Sequence, residues 1–410
     1  MTDYASDALL LHGFVERWWS HRRLHEHLDG VNVDAVFASL VDRLREVPSI
    51  WQCAITLRDT LWELMDGHLR LGATHWRAET LYLSGLHCMP VAEGVAVVDL
   101  APRLSAPPAP SRGDLIVEAD GQFIDDYLAS VRLRPGSTVH HRHWNAVQSL
   151  VWQERMPEEK PSPRTVTIED VRMNRRTLAL AWEPATMSRP TPFCVTARSI
   201  RHDVGLLDVR SFVCRDALGQ ISDAEMLRQV SAACDRLKGA RHVIVDLRGN
   251  SGGRDEQAQI LARMLPYSPA EWMRVSRRNP ETGDMEPPAA IPLETGPPAL
   301  AADLSDAGLS FLLGPGCAST AEIVAAAFEA RPETRTVGDT TAGSAGDPAE
   351  FRLPQSLLSV SVPIADYFRP ATGTSIEGHG IAPATRILQT AEDLRRGVDA
   401  TVAAAVAAIS

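Results

Sequence analysis

The chain has 410 residues, 44% of them hydrophobic, and a formal net charge of −11. This length and apolar content suffice for two or three domains with cores of their own. The acidic balance argues against nucleic acid or an anionic membrane as a partner. No apolar run reaches the roughly 18 residues of a membrane span, and the N-terminal MTDYASDALLLHGF lacks the basic start of a signal peptide. The sequence therefore predicts a cytoplasmic protein.

Neither cysteine nor histidine spacing predicts a disulfide framework or a metal centre. The six cysteines are scattered without a C-x-x-C pair, so we expect them to be reduced and mostly structural. His140, His141 and His143 are close in sequence but have no companion ligands at metal-binding spacing, and we interpret them as a polar surface segment. No cofactor and no metal are expected.

The first part of the chain has the pattern of a helical region followed by a β-rich one. Apolar residues recur at helical spacing over Ala35–Val47 and Trp51–Met65, and Pro48 separates the two runs. The segment Ala101–Gly113 is rich in proline, which disfavours both helix and sheet.

A buried strand followed by a glycine-rich turn is the most informative pattern. Val243–Leu247 is a short, largely β-branched run, and Gly249, Gly252 and Gly253 then free the backbone from the usual limits on φ. Such a turn can direct amide N–H groups at one point, as an oxyanion hole requires. The run lacks the spacing of the common nucleotide-binding glycine loops. Asp246 and Arg248 are expected to pair and shape the turn.

A second strand, turn and helix follow further along. Leu309–Leu313 is predicted to be a strand, Gly314–Gly316 a turn and Thr320–Ala330 a helix. Ser319 then lies at the helix N-terminus, where the macrodipole and free N–H groups favour developing negative charge. Alternatively, Ser319 is an ordinary N-cap that forms a capping box with Glu322.

Two further segments complete the pattern. Ser268–Pro298 contains seven prolines and is predicted to be the least structured part of this half, a mobile loop on the substrate side. Asp393–Ile409 has the pattern of one helix that packs on the core.

These motifs occur in an order that resembles the carboxyl-terminal processing (tail-specific) serine peptidases, in particular the branch of the tricorn core and the interphotoreceptor retinoid-binding modules. The matching blocks extend from about residue 60 to the C-terminus and include LMDGHLRL (Leu64–Leu71), GDLIVEADGQFIDDYL (Gly113–Leu128), VIVDLRGNSGG, ASTAE, VGDTTAG (Val337–Gly343) and IEGHGIAP (Ile376–Pro383).

The resemblance implies a fold and a division into domains. The expected fold is α/β, with a ClpP/crotonase-like catalytic core, an N-terminal helical region and a PDZ-like β-rich domain. The implied domains are a helical cap at 1–82, a PDZ-like domain at 83–185 and a catalytic serine peptidase core at 190–410. LSGLHCMPV (Leu83–Val91) is the nearest candidate for the carboxylate-binding loop of a PDZ domain.

The resemblance also implies site residues. Serine–lysine members of the family carry a base lysine where this chain has Ser344, and no lysine occurs between Arg241 and Ser410. The tricorn-like branch instead implies a Ser319, His68 and Glu377 triad, in which imidazole removes the hydroxyl proton and the carboxylate orients the imidazole. The oxyanion hole is expected from the amides of Thr320 and the glycine turn, Gly252 first and Gly253 as its neighbour.

Alternatives to each assignment stay open. His68 could instead interact with the end of a helix beside Gly67, and Glu377 could be a solvated loop carboxylate. His379 is a competing base, and Cys317 a competing nucleophile.

The predicted function is hydrolysis of peptide bonds in a peptide or protein substrate. An esterase, amidase or acyl-transfer enzyme of a specialised biosynthetic pathway on the same triad is one alternative, and a non-catalytic ligand-binding relative is another. The sequence predicts neither the cleavage preference nor the oligomeric state.

Overall fold

The computed structural model of the chain describes residues 3–72, 80–101, 109–131, 138–185, 193–266, 268–294, 304 and 306–409. The chain divides into two compact units. The first unit is Met1–Thr186, Pro348–Val362 and Leu388–Ala400, and the second is Met187–Asp347, Pro363–Ile387 and Thr401–Ser410.

Helices begin the first unit: α1 (Ala5–Trp18), α2 (Arg22–Leu28), α3 (Val33–Leu44) and α4 (Ile50–Trp62). The side chains of Asn32 and Ser49 cap α3 and α4 by accepting a backbone N–H of the first turn. The helices α1, α3 and α4 bury a common core that includes Leu11, Phe37 and Leu57. The two predicted helices are confirmed as α3 and α4, whereas α1 and α2 were not predicted.

Two antiparallel sheets follow in the same unit. A short strand β1 (Arg70–Leu71) precedes them and pairs antiparallel with a strand late in the chain, Ser359–Phe368. The strands of the two sheets are β2 (Thr80–Leu83), β3 (Leu86–Val91), β4 (Gly94–Leu100), β5 (Leu115–Ala119), β6 (Gln122–Phe123), β7 (Trp152–Arg155), β8 (Arg164–Glu169), β9 (Arg175–Leu180) and β10 (Glu183–Pro184), with the helices α5 (Ile124–Ser130) and α6 (Val139–Ser149). One sheet has the order β3-β4-β5-β8-β9 with β6 beside β5, and the other has the order β10-β2-β7. His140, His141 and His143 all lie in α6, where His143 is exposed and the other two are half-buried.

A six-stranded sheet forms the centre of the second unit. Its strands β11 (Val195–Arg201), β12 (Val204–Val209), β13 (His242–Asp246), β16 (Gly308–Leu313), β17 (Thr334–Gly338) and β20 (Thr385–Arg386) are hydrogen-bonded in that order. From β12 onward neighbouring strands run parallel. The helices α7 (Asp223–Arg236), α8 (Asp255–Met264) and α9 (Thr320–Glu329) lie in the connections between the parallel strands.

Both faces of this sheet are buried, which explains its near-continuous apolar strands. On β13, Val243 and Val245 contribute to one apolar cluster and Ile244 to another. Parallel strands covered on both faces have this composition. The predicted strands and the helix after Ser319 are confirmed as β13, β16 and α9.

The proline-rich stretch Ser268–Pro298 is more ordered than predicted over its described part. It contains β14 (Glu271–Arg277) and β15 (Ala289–Pro292), which pair antiparallel, and Trp272 of β14 is fully buried. β14 also pairs with β19 (Ser359–Phe368), a strand whose residues are divided between the two units. The strand β18 (Gly346–Arg352) pairs with β19 as well. The prediction of an unstructured loop was wrong for the described part, because the prolines there lie at the ends and in the connection of a strand pair, where no ladder N–H is needed.

The C-terminal segment forms two short helices instead of one. They are α10 (Ala391–Arg395) and α11 (Ala400–Ala407). Gly397 adopts φ +67° between them, and Val398 N–H donates to the Asp393 carbonyl at 2.8 Å. A left-handed glycine with this hydrogen bond is a common end of a helix. No helix among the described residues is long and apolar enough to cross a membrane.

Candidate active site

Two loops converge at the carboxyl ends of the neighbouring parallel strands β13 and β16. The strands are paired in register up to Asp246 and Leu312, and Leu247 N–H donates to the Leu312 carbonyl at 3.1 Å. The glycine turn follows β13, and the segment Gly314–Ser319 follows β16. This edge of a parallel sheet is the usual place for a binding site in α/β folds.

Side-chain hydrogen bonds shape the glycine turn. Arg248 donates through two guanidinium nitrogens to the two Asp246 oxygens at 2.9 and 2.6 Å, which confirms the predicted pairing. Asn250 is fully buried, and its amide donates to the Val209 carbonyl at 3.1 Å. The Asn250 carbonyl accepts the N–H of Ala318 at 3.0 Å. Asn250, which the sequence analysis did not single out, thus joins the two loops.

Ser319 adopts a backbone conformation that few residues with a side chain adopt. Its φ is +56° and its ψ is −129°, immediately before α9. Strain of this kind costs on the order of 1–3 kcal/mol and clusters at functional sites. Gly252, at φ +94°, packs so closely that a Cβ there would lie 2.8 Å from Ser319 Cβ and 2.9 Å from Thr320 N. The two loops fit only because position 252 is glycine.

The backbone amides around Ser319 differ in their hydrogen bonding. Gly252 N–H donates to Asn250 Oδ1 at 2.8 Å. The N–H groups of Thr320 and Gly253 have no acceptor among the described residues. Thr320 Oγ1 donates to the Gly253 carbonyl at 2.9 Å, so these two residues are in contact. Among the described residues, the amides of Thr320 and Gly253 are therefore without an acceptor, whereas the amide of Gly252 is engaged.

The carboxylate of Glu322 connects the serine with the loop Thr341–Ala345. Oε2 accepts the backbone N–H groups of Ser319 at 3.1 Å and Ser344 at 2.9 Å. Oε1 accepts the Gly343 N–H at 2.7 Å and the Thr341 hydroxyl. Glu322 is fully buried. Its carboxylate does more than cap a helix, because it holds four donors from two segments.

The residue that replaces the family's lysine lies beside the serine. The carbonyl of Ser344 accepts the Ser319 N–H at 2.7 Å. Position 344 thus contacts Ser319 through its backbone, and a serine side chain there supplies no base at neutral pH.

Glu377 belongs to the same unit and borders the same loop. Its Oε2 accepts the Ala345 N–H at 2.9 Å, and the residue is fully buried. The alternative of a solvated loop carboxylate is therefore wrong. His379, the competing base, is exposed, and its Nδ1 lies 2.9 Å from the Glu377 carbonyl oxygen.

The environment of Glu322 changes its ionisation. Burial raises the pKa of Glu322 to about 7, and the charge of Glu377 acts in the same direction, against the hydrogen bonds from Thr341, Ser344 and Gly343. An unfolded glutamate titrates near ~4.3. Between these two pKa values the folded chain keeps a proton on Glu322 that the unfolded chain has released. The stabilisation of the fold by protonated Glu322 is therefore complete below the unfolded pKa and is lost as the pH rises through about 7.

Glu322→Gln is expected to lower kcat at least ~10-fold and to destabilise the fold by on the order of 3 kcal/mol. Glutamine has one acceptor oxygen, and its NH2 group would face two of the four donors. Kinetics and thermal unfolding measure both effects. Glu329→Gln is the matched control, because Glu329 ends the same helix and pairs with Arg369 on its outer side. Wild-type kcat in folded Glu322→Gln would contradict this role.

Cys317 is not a plausible nucleophile in this arrangement. The side chain is fully buried, and burial raises the pKa of its thiol well above the usual range. A reactive cysteine needs thiolate character and access. All six cysteines are buried and unpaired, as the sequence predicted.

His68 belongs to the first unit, in the turn between α4 and β1, and is half-buried. Its backbone N–H donates to Asp66 Oδ1 at 2.7 Å. The helix before it ends at Trp62, and Met65 adopts φ +64° before the turn. The predicted helix stop is thus at Met65 rather than at Gly67.

Histidines and a carboxylate form a buried polar cluster beneath this turn. His21, His25 and Asp66 are fully buried, and each offers a possible metal ligand atom within 4.8 Å of the others. The Asp66 oxygens, however, already accept hydrogen bonds from Trp19, His21 and the backbone. Sequence analysis missed this cluster because the residues are distant in the chain.

Comparison with known proteins places this arrangement in a family. Residues 203–387 match the model of peptidase family S41. No curated protein sequence is significantly similar to the chain.

Solved structures share the fold over nearly the whole chain. The structure of mature CPAF complexed with lactacystin aligns at TM-score 0.74 and 17% identity, covering 96% of this chain and 95% of CPAF. A putative peptidase from Parabacteroides merdae aligns at 0.53 and 14%, covering 100% and 96%. The photosystem II D1 C-terminal processing protease aligns at 0.51 and 18%, covering 96% and 98%. At such low sequence identities, the similarity to these structures shows a shared fold and nothing further.

The loops around Ser319 and the central sheet thus define a hydrolase core of the α/β class. Residues 203–387 are a peptidase family S41 domain, so the protein is a serine-type peptidase. The predicted resemblance to this serine peptidase family is confirmed, and its tricorn-like branch stays a prediction.

Proposed function

We propose that this peptidase hydrolyses peptide bonds with Ser319 as nucleophile, His68 as general base and Glu377 as the residue that orients His68. The observation that carries the proposal is the strained backbone of Ser319 at the start of α9, held against Gly252. Strain at a serine between a strand and a helix is the geometry of an exposed nucleophile.

In the proposed reaction, Ser319 Oγ attacks the carbonyl carbon of the scissile bond while His68 takes the hydroxyl proton. The tetrahedral intermediate expels the amine, which receives that proton from the imidazolium, and an acyl-enzyme remains. Water then attacks the ester in the same way, releases the acid and restores Ser319. Glu377 would fix the tautomer of His68 and stabilise its cation, as the resemblance to the tricorn-like branch implies.

The oxyanion would be held by the amides of Thr320 and the glycine turn. We assign the second donor to Gly253 rather than to Gly252, because Asn250 already accepts the Gly252 N–H. Thr320 lies at the N-terminus of α9, where the helix dipole also favours negative charge. One such donor typically contributes about 2.7–4 kcal/mol to the transition state.

The remaining parts of the chain receive proposed roles by resemblance. We assign residues 1–82 to a helical cap, 83–185 to a PDZ-like domain and 190–410 to a ClpP/crotonase-like core. The antiparallel sheet of β3, β4, β5, β8 and β9 with its two helices supports a PDZ-like assignment for the middle region. A cytoplasmic location stays a prediction.

A panel of matched peptide amides and esters tests the proposed reaction. We expect cleavage of unstructured polypeptide and of internal peptide amides, with both activities lost in Ser319→Ala. Ester turnover without any amide cleavage would instead establish the esterase alternative. Saturable binding without turnover of any substrate would establish a ligand-binding relative.

A further inference from the structure

The turn that carries His68 is organised by one buried carboxylate. Asp66 Oδ1 accepts the backbone N–H groups of His68 at 2.7 Å and Leu69 at 3.3 Å. Asp66 Oδ2 accepts the indole N–H of Trp19 at 2.7 Å and lies 2.8 Å from His21 Nδ1. Two donors thus belong to the turn itself and two to buried side chains of the connection between α1 and α2.

We infer that Asp66 is a positioning residue for His68, which it fixes to the helical core of the first unit. The inference rests on the proposed role of His68 as the base. Trp19, His21 and Asp66 are all fully buried, so close packing holds their side chains in place. The hydrogen bonds to Asp66 then fix the position of the turn. The chain enters the turn through Met65 at φ +64°, a conformation that costs energy and needs such support.

The charge of Asp66 gives it a second effect on His68. Burial alone would raise the pKa of this carboxyl, but the neighbouring His21, and after it His25 and His68, hold it well below its usual range. Asp66 is therefore ionised throughout the working pH range. By reciprocity, its negative charge favours the imidazolium form of His68, which forms when the base takes a proton from serine.

Asp66→Asn tests the inference. Asparagine retains one acceptor oxygen but loses the charge, and its NH2 group would face donors. We expect kcat to fall about 10- to 100-fold with KM changed less than about twofold. We also expect the ascending limb of the pH–rate profile to move to lower pH by about 0.5–1 unit. The midpoint of this limb reports only folded enzyme, so partial unfolding does not shift it.

Asp29→Asn is the matched control. Asp29 Oδ2 lies 2.9 Å from Nδ1 of the buried His25, and no hydrogen bond joins Asp29 to the turn within the described residues. Its variant is expected to lose stability and to keep the wild-type pH midpoint. An equal shift in Asp29→Asn would assign the effect to general destabilisation and overturn the inference.

His68→Ala, measured in parallel, separates this inference from the proposed function. Inactive His68→Ala beside an Asp66→Asn enzyme with wild-type kcat and pH midpoint overturns the role of Asp66 alone. Fully active His68→Ala overturns the proposed base and the inference with it. Should Asp66→Asn yield no folded enzyme, Trp19→Phe removes one donor and keeps an aromatic ring. A severalfold lower kcat is expected there, and an unchanged kcat contradicts the inference.

Discussion

Ser319→Ala is expected to fold normally and to lose at least about 10⁴-fold in kcat, because no other group can form the acyl-enzyme. The side chain is small, and the loss of a helix-capping hydroxyl costs only about 1 kcal/mol. Turnover of a cleaved polypeptide and the thermal unfolding midpoint measure the two effects.

Cys317→Ala is the control for this prediction. Cys317 is two residues before Ser319 but is fully buried, so its variant is expected to keep most of the activity. A folded Ser319→Ala enzyme that is as active as the wild type would exclude the serine mechanism, and loss of activity in Cys317→Ala would favour the cysteine.

His68→Ala is expected to lower kcat by about 10²–10⁴-fold, since Ser319 would lack a group to remove its proton. In the wild-type enzyme, activity should rise through a midpoint near ~7, where imidazole becomes neutral. The pH dependence of kcat for both enzymes checks this prediction.

The matched control is His379→Ala. The exposed His379 is not held by a buried carboxylate, and its variant is expected to retain activity. If His68→Ala kept full activity and His379→Ala lost it, the base would be His379.

Much of the core could be predicted from the sequence because its signals are local. The β-branched run of β13, the alanine-rich α9 and the glycines between sheet and helix each have a pattern that few other structures share. The replacement of the family's lysine by Ser344 could also be recognised by spacing, and the structure has Ser344 in contact with Ser319.

The supporting residues could not be predicted because their partners are distant in sequence. Glu322 has the spacing of a capping box, and nothing local shows that its second oxygen holds Gly343 and Thr341. Asp66 meets Trp19 only after the helices have packed. Prolines misled the interpretation of β14 and β15, since strand pairing depends on segments elsewhere in the chain.

The oxyanion hole illustrates the same limit. Sequence patterns identify a glycine turn, but the direction of each N–H depends on tertiary contacts. Asn250 accepts the Gly252 N–H and is itself fixed by Val209, which lies on the neighbouring strand. The steric role of Gly252 against Ser319 and the donor role proposed for Gly253 could be separated only in three dimensions.

Covalent labelling with a fluorophosphonate, followed by mass spectrometry of the digested protein, tests the central claim most directly. We predict one phosphonyl adduct, on Ser319, that forms at wild-type rate in Cys317→Ala and far more slowly in His68→Ala. An adduct on another residue, or equal labelling of the Ser319→Ala protein, would contradict the claim that Ser319 is an activated nucleophile.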